Sequence, residues 1–163
     1  NSIQDFLELG QIQDAPGKSA TLSDFVDLLL QFNASMNLIG PMTRDVIIDE
    51  LILDSLVPAF IWPGGNTAVD VGSGAGLPGI PLAVAFPDVQ FCLVEPRKKR
   101  AQFLKIASHR LGLKNIEVFE KLLFAYIHLE PDSTNLTLAF VFFANNDFLI
   151  HVNLLIVFND KLN

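Results

Sequence analysis

Three glycines spaced two residues apart constrain this chain more than any other feature of its sequence. Gly72, Gly74 and Gly76 follow a short apolar run over residues 68–71, which predicts a strand, and they precede residues 78–86, which predict a helix. Glycine adopts positive φ at little steric cost and lets another molecule approach the backbone closely. A strand that enters a helix through such a loop is typical of α/β sheets that bind ligands at the carboxyl ends of their strands.

The residues after the glycines continue to alternate between apolar runs and amphipathic stretches. Residues 89–94 and 115–119 predict two more strands, on either side of a helix over residues 97–111. Farther along, residues 136–143 and 154–158 predict a fourth and a fifth strand, with a short helix over residues 147–152 between them. Strands that alternate with helices predict a doubly wound, mainly parallel, Rossmann-like α/β sheet.

The residues before the glycines have a helical pattern instead. Residues 2–9 predict a short helix, and Thr21, three residues before Asp24, resembles a capping box at the start of a long amphipathic helix. Thr43 is placed to cap a further helix. We therefore predict a helical cap over residues 1–63 and an α/β core over residues 64–163. The two are expected to form one compact unit, in which the core appears truncated after its fifth strand.

The composition excludes several classes of protein. Half of the 163 residues are apolar, which excludes an intrinsically disordered chain. The single cysteine excludes a disulfide framework, and the three histidines lack the spacing of metal ligands, so we expect no bound metal. The longest apolar stretch, residues 136–158, is interrupted by polar side chains, and no signal peptide opens the sequence. We therefore expect a cytoplasmic monomer that does not enter a membrane.

The basic residues are concentrated in one segment of an otherwise acidic chain. The net charge is −7, yet seven of the eleven lysines and arginines lie within residues 97–114. Four of them are consecutive at the predicted start of a helix, where positive charge opposes the helix dipole. An anionic partner would offset that cost, and the alternative is a helix start that is simply solvated. We predict that an anionic partner contacts Arg97, Lys98, Lys99 and Arg100.

The glycine loop is compatible with two kinds of ligand. Gly74, Gly76 and Gly79 match a dinucleotide fingerprint, with Glu95, 19 residues after Gly76, as the acid that binds a ribose. Alternatively, Asp70 opens an acid-x-Gly-x-Gly-x-Gly pattern. A carboxylate in the loop repels a pyrophosphate and suits an ammonium or sulfonium group, so we favour S-adenosylmethionine over a nicotinamide cofactor. The remaining alternative is a turn that binds no ligand.

The same loop carries a resemblance to a known family. Residues 70–83, DVGSGAGLPGIPLA, together with Glu95 and the pair Lys99-Arg100, resemble the glucose-inhibited division protein B family. Upstream, residues 52–56 resemble another segment of that family. The similarity extends from about Thr21 to Ile116, and the Leu-Pro-Gly-Ile-Pro extension after the loop is its most specific part.

The resemblance implies a methyltransferase that uses S-adenosylmethionine to modify guanine N7 in small-subunit ribosomal RNA. It implies that the cofactor contacts lie at Asp70, Gly72, Ser73, Gly74, Gly76, Leu77 and Glu95. Guanine N7 has a free lone pair, so we predict no catalytic acid or base. Ribosomal RNA or the small ribosomal subunit is the implied partner, so we predict that the RNA-binding residues are Arg97, Lys98, Lys99 and Arg100. The alternatives are an NAD-dependent oxidoreductase and a module that binds S-adenosylmethionine without turnover.

Three segments depart from the pattern of that family. Glu50 and Leu51 stand where the family has Arg-His, and residues 122–125 are apolar where it has an arginine and an acidic pair. Residues 140–142 replace an expected Ser-Arg-Ala. By position alone, the adenine side of the cofactor site falls near Leu123 and Phe124. The missing arginines and the apolar C-terminal third favour the hypothesis of a module that binds the cofactor without turnover.

Overall fold

Five strands form one mixed sheet in a computed structural model, which describes residues 2–120, 136–144 and 151–158. The strands are β1 (Thr67–Val71), β2 (Gln90–Val94), β3 (Ile116–Phe119), β4 (Leu136–Ala144) and β5 (His151–Phe158). Their order across the sheet is β3-β2-β1-β5-β4. β1 is parallel to β2, which is parallel to β3, and β5 is antiparallel to both β1 and β4. Four strands therefore run in one direction, which confirms the prediction of a mainly parallel α/β sheet.

The central strands are buried on both faces, as their nearly continuous apolar sequences require. On one face, Ala68, Phe91 and Leu93 join the main apolar core that the helices complete. On the opposite face, Val69, Cys92 and Val94 form a second buried cluster. Successive side chains of a strand alternate between faces, so Asp70 shares its face with Ala68 and points toward the helices.

Helices form the first part of the chain and connect the parallel strands. They are α1 (Ser2–Leu9), α2 (Ala15–Met36), α3 (Arg44–Val46), a π-helix (Ile47–Ile52), α4 (Leu53–Leu56), a 3₁₀ helix (Val57–Ile61), α5 (Gly79–Ala85) and α6 (Lys98–Arg110). α2 contacts both α5 and α6. The predicted cap is therefore helical, and it shares the main core with the sheet. Within the described residues, no helix is long and apolar enough to cross a membrane.

The predicted start of the long helix at Thr21 is wrong. α2 begins at Ala15, because the side chain of Asp14 accepts a hydrogen bond from the Gly17 N–H and Pro16 occupies the first turn. The hydroxyl of Thr21 instead bonds the carbonyl oxygen of Gly17, one turn earlier in the same helix. Thr43 does cap α3, where it accepts a hydrogen bond from the Val46 N–H.

The C-terminal prediction also needs correction. Residues 151 and 152 belong to β5 and not to a helix, while residues 147–150 lie outside the described part of the chain. β5 has an apolar second half, with Leu155 and Val157 buried, and residues 154–158 pair with the whole length of β1. Its β-branched and apolar side chains suit a buried strand better than a short helix.

Candidate functional site

The glycine loop lies at the carboxyl end of β1, beside the carboxyl end of β2. The N–H groups of Gly72 and Ser73 both donate to the carbonyl oxygen of Val94, at 2.8 and 3.2 Å. The Gly76 N–H donates to the carbonyl oxygen of Ser73 at 2.6 Å. The Ser73 hydroxyl closes the turn by donating to the carbonyl oxygen of Asp70, at 2.8 Å. Gly72, Gly74 and Gly76 have φ values of 77°, 54° and 88°. The prediction that these glycines make a tight turn is confirmed.

The glycines of the loop differ in what surrounds them. A Cβ on Gly76 would lie 2.5 Å from Ile80 Cδ1, and one on Gly79 would lie 2.4 Å from a methyl carbon of Leu93. At Gly74 the nearest atoms are Arg100 Nη1 at 3.5 Å and the Gly72 carbonyl oxygen at 3.6 Å. Gly76 and Gly79 are therefore needed for packing within the protein, while the Gly74 backbone is left accessible for a ligand.

Glu95 follows β2 directly, and its carboxylate holds the loop in place. One oxygen, Oε2, accepts a hydrogen bond from the Gly74 N–H at 2.9 Å, and the other, Oε1, accepts one from the Arg97 N–H at 2.8 Å. The residue is buried. A carboxylate has about four acceptor positions, so both oxygens retain capacity for a further donor. The structure brings Glu95 to the loop, as the sequence spacing predicts.

The side chain of Asp70 is directed into the protein, and its partner there, Gly79, was not indicated by the sequence. Asp70 is fully buried on the helix side of β1, where Oδ2 accepts a hydrogen bond from the Gly79 N–H at 3.1 Å and Oδ1 has no partner among the described residues. Burial raises the pKa of this carboxyl to about 7, against the opposing effect of the Gly79 hydrogen bond. Asp70 thus faces the start of α5 and not the accessible backbone of Gly74. Leu77, another predicted contact, packs against the main core.

The basic segment divides into two parts. Arg97, Lys98 and Lys99 are exposed, and the backbone N–H of Arg97 is used by Glu95. Arg100 is half-buried, and its Nη1 lies near Gly74 of the loop. Its Nη2 donates to the carbonyl oxygen of Asn37, at the end of α2, at 3.4 Å. Burial and the neighbouring Arg97 lower the pKa of Arg100, while Glu95 acts in the opposite direction. The structure places only the first three side chains in solvent.

The link between Arg100 and the cap is a feature that sequence reasoning missed. Asn37 ends α2 in the left-handed region, with φ 49°, and its N–H bonds Asn33. The side chain of Asn33 in turn accepts a hydrogen bond from the Ile39 N–H at 2.9 Å. This pair of asparagines shapes the end of α2 so that a backbone carbonyl faces the loop. The asparagines are visible in the sequence, but nothing in their spacing identifies Arg100 as a partner.

The described structure also has a cleft away from the glycine loop. A cleft of about 750 Å³ lies at the amino ends of the strands, opposite the glycine loop, with Lys18, Asp88 and Lys114 among its lining residues. Ligands of open α/β sheets bind at the other end. Within residues 2–120, 136–144 and 151–158, no three His, Cys, Asp or Glu side chains come together in a way that could hold a metal ion. Residues 122–125, where the family pattern is broken, lie outside the described residues.

Comparison with known proteins gives one consistent result. A model of the glucose-inhibited division protein B family, described as rRNA small subunit methyltransferase G, matches residues 18–137. Proteins named ribosomal RNA small subunit methyltransferase G are 39% identical over 101 residues in Brachyspira hyodysenteriae and 43% identical over 108 residues in Helicobacter pylori. These matches cover 62% and 66% of this chain, and 50% and 60% of the two relatives. The chain thus spans between half and three fifths of their length.

Proposed function

Since the chain belongs to the rRNA small subunit methyltransferase G family, we propose that it transfers a methyl group from S-adenosylmethionine to guanine N7 in small-subunit ribosomal RNA. The family model matches well over half of the chain, from residue 18 to residue 137. Membership also disfavours the nicotinamide-dependent alternative. The activity, the substrate and the partner remain proposals for this chain, which spans only part of its relatives.

The observation that carries the proposal is the accessible backbone at Gly74 beside the carboxylate of Glu95. A ligand that lies across Gly74 meets Glu95 at one side, because the Gly74 N–H itself donates to Oε2 at 2.9 Å. A carboxylate at the end of the second strand is suited to accept hydrogen bonds from the two hydroxyls of a ribose. The residues present therefore fit an adenosine-containing cofactor.

The proposed reaction requires the chain to align the methyl donor with the guanine that accepts the methyl group. When bound, S-adenosylmethionine supplies a methyl group on a sulfonium; the N7 lone pair forms the new C–N bond as the C–S bond breaks and its electron pair stays on sulfur. Because N7 carries no proton, the chain needs no general base. Holding donor and acceptor in line is itself a large source of rate enhancement. Glu95 and the glycine loop orient the cofactor, and Asp70 positions the loop through Gly79.

The proposed RNA contacts are the exposed cations beside the cofactor loop. Arg97, Lys98 and Lys99 begin α6 immediately after Glu95, at the same end of the sheet as Gly74. Phosphate contacts fix the register of a nucleic acid without reading its bases, and specific RNA recognition usually involves an unpaired base. We place the activity in the cytoplasm, with the chain acting as a monomer on ribosomal RNA.

A pair of measurements tests this function. Isothermal titration calorimetry with S-adenosylmethionine and, separately, with NAD⁺ is expected to show binding of the first only. Radiolabelled methyl transfer to small ribosomal subunits that lack the modification is then expected, and digestion of the RNA should recover 7-methylguanosine. Binding of S-adenosylmethionine without transfer would contradict the enzymatic proposal and favour the module without turnover. Binding of NAD⁺ alone would contradict both.

A further inference from the structure

Arg100 lies closer to the proposed cofactor than to the proposed RNA path. Its Nη1 is 3.5 Å from the point where a Cβ on Gly74 would stand, and Gly74 is a half-buried glycine of the loop with space beside it. The other three cations of the segment are exposed, while Arg100 is half-buried. Its guanidinium has five N–H donors, yet within the described residues it donates one long hydrogen bond, to the Asn37 carbonyl oxygen at 3.4 Å. Nη1 therefore lies beside Gly74 without a hydrogen-bond partner among the described residues.

The loop backbone has few free N–H groups that could bind an anion. Four of its N–H groups already donate within the protein, those of Gly72, Ser73, Gly74 and Gly76. A loop that binds phosphate keeps such groups free and aimed at the ligand. An anionic group above Gly74 must therefore find its donor in a side chain, and the guanidinium of Arg100 is the side-chain donor nearest to that point.

The same point also has an acceptor beside it. The carbonyl oxygen of Gly72 lies 3.6 Å from the Cβ position of Gly74, so a cation and an acceptor flank one accessible spot. That pairing complements a group with one negative and one positive end. An α-amino acid moiety, with its carboxylate and ammonium on one carbon, has this character. An RNA phosphate has only the negative end.

We infer that Arg100 binds the carboxylate of the aminoacyl end of the methyl donor and is not part of the RNA-binding segment, an inference that rests on the proposed function. Arginine presents two parallel N–H groups that match a carboxylate, and such charge-assisted hydrogen bonds are among the stronger ones in proteins. The assignment divides the basic segment by role. Lys98 and Lys99 remain candidates for phosphate contacts.

Two ligands that differ only in the aminoacyl end provide the test. S-adenosylhomocysteine has the amino acid moiety, whereas 5′-methylthioadenosine has the same adenosine thioether without it. For the full chain, calorimetry is expected to show that Arg100→Gln weakens S-adenosylhomocysteine about ten- to a hundredfold and leaves 5′-methylthioadenosine unchanged. Arg100→Lys should retain part of the lost affinity, because the charge is kept.

Arg110→Gln is the matched control. Arg110 also joins α6 to α2, through Gln31 at 3.2 Å and the ring of Phe32, but it lies at the far end of α6. It should leave the affinity for both ligands unchanged. Equal weakening of both ligands by Arg100→Gln would overturn the inference in favour of a structural role for Arg100. Unchanged binding of both by this variant would overturn it too, and failure of the unsubstituted chain to bind S-adenosylhomocysteine would overturn the proposed function itself.

Discussion

Asp70 and Glu95 are two buried carboxylates at the same end of the sheet, and the fold uses them differently. Glu95 accepts two backbone hydrogen bonds, one on each oxygen, and lies against the loop. Asp70 accepts one, from Gly79, and its second oxygen has no partner in the part of the chain that the structure describes. A buried carboxylate with one unpartnered oxygen is costly to ionise. Asp70 should therefore make the stability of the fold depend on pH.

The direction in which stability changes with pH follows from the pKa of Asp70, which is about 7 in the folded chain against 3.8 for an ordinary aspartate. Between these values the unfolded chain loses the proton first, so the free energy of unfolding falls as pH rises and levels off above about 7. Relative to Asp70→Asn, the unsubstituted chain should lose about 2–3 kcal/mol between pH 5 and pH 8. Urea denaturation of both chains at each pH measures this difference. Parallel stability profiles would contradict the prediction.

Gly74 allows a second prediction at the scale of one residue. Gly74→Val should abolish binding of S-adenosylmethionine, because the branched side chain fills the space beside Arg100 and the backbone has a φ of 54°. Gly64→Val is the matched control, since Gly64 has a φ of 84° and no atom within 4 Å of its Cβ position. Both variants carry backbone strain of about 1–3 kcal/mol, visible as a lower melting temperature. Equal affinity in the two variants, measured by calorimetry, would place the ligand elsewhere.

At the scale of elements, the sequence predicted the strands that a local pattern defines. β1, β2 and β3 are short apolar runs bounded by turn residues, and the predicted positions are correct to within one residue. The start of α2 was predicted seven residues late, because the Thr21 pattern resembles a cap while Asp14, in the left-handed region with φ 53°, is the actual cap. A cap depends on backbone geometry that spacing does not reveal.

The candidate site shows the same division between local and distant information. The glycine loop and the position of Glu95 follow from spacing, because the carboxyl ends of adjacent parallel strands meet at one edge. The inward orientation of Asp70 follows from strand alternation, but the sequence alone did not reveal that Gly79 would be its partner. The contact between Arg100 and the Asn37 carbonyl joins residues 63 positions apart, and only the packing of α6 against α2 creates it.

The charge distribution matters at the scale of the whole molecule. Residues 97–114 contain seven basic and no acidic side chains, whereas the first 90 residues contain eleven acidic and two basic ones. An acidic surface repels phosphate, so a nucleic acid is steered toward the basic residues, of which Arg97, Lys98 and Lys99 are exposed at the carboxyl end of the sheet. That end also holds Gly74 and Glu95. Electrostatics and cofactor geometry therefore point to the same face.

Salt dependence tests whether RNA uses this face. Each phosphate contact that is removed lowers the slope of log affinity against log salt by about 0.7 for single strands and about 0.9 for duplexes. Replacing Lys98 and Lys99 together with glutamine should therefore weaken binding to small ribosomal subunits and reduce the slope by about two units at most. Affinity for S-adenosylmethionine should not change, because neither lysine lies near Gly74 in the way that Arg100 does.

The matched control for that experiment removes the same number of charges at the opposite end of the sheet. Lys18 and Lys114 both line the cleft at the amino ends of the strands, so replacing them with glutamine lowers the net charge equally without touching the proposed face. Filter binding from low to moderate salt should show a reduced slope for the Lys98/Lys99 variant and an unchanged slope for the control. If both variants reduce the slope equally, RNA responds only to net charge. If only the Lys18/Lys114 variant reduces it, RNA docks at the opposite end, away from Gly74 and Glu95, and the proposed guanine could not reach the methyl donor.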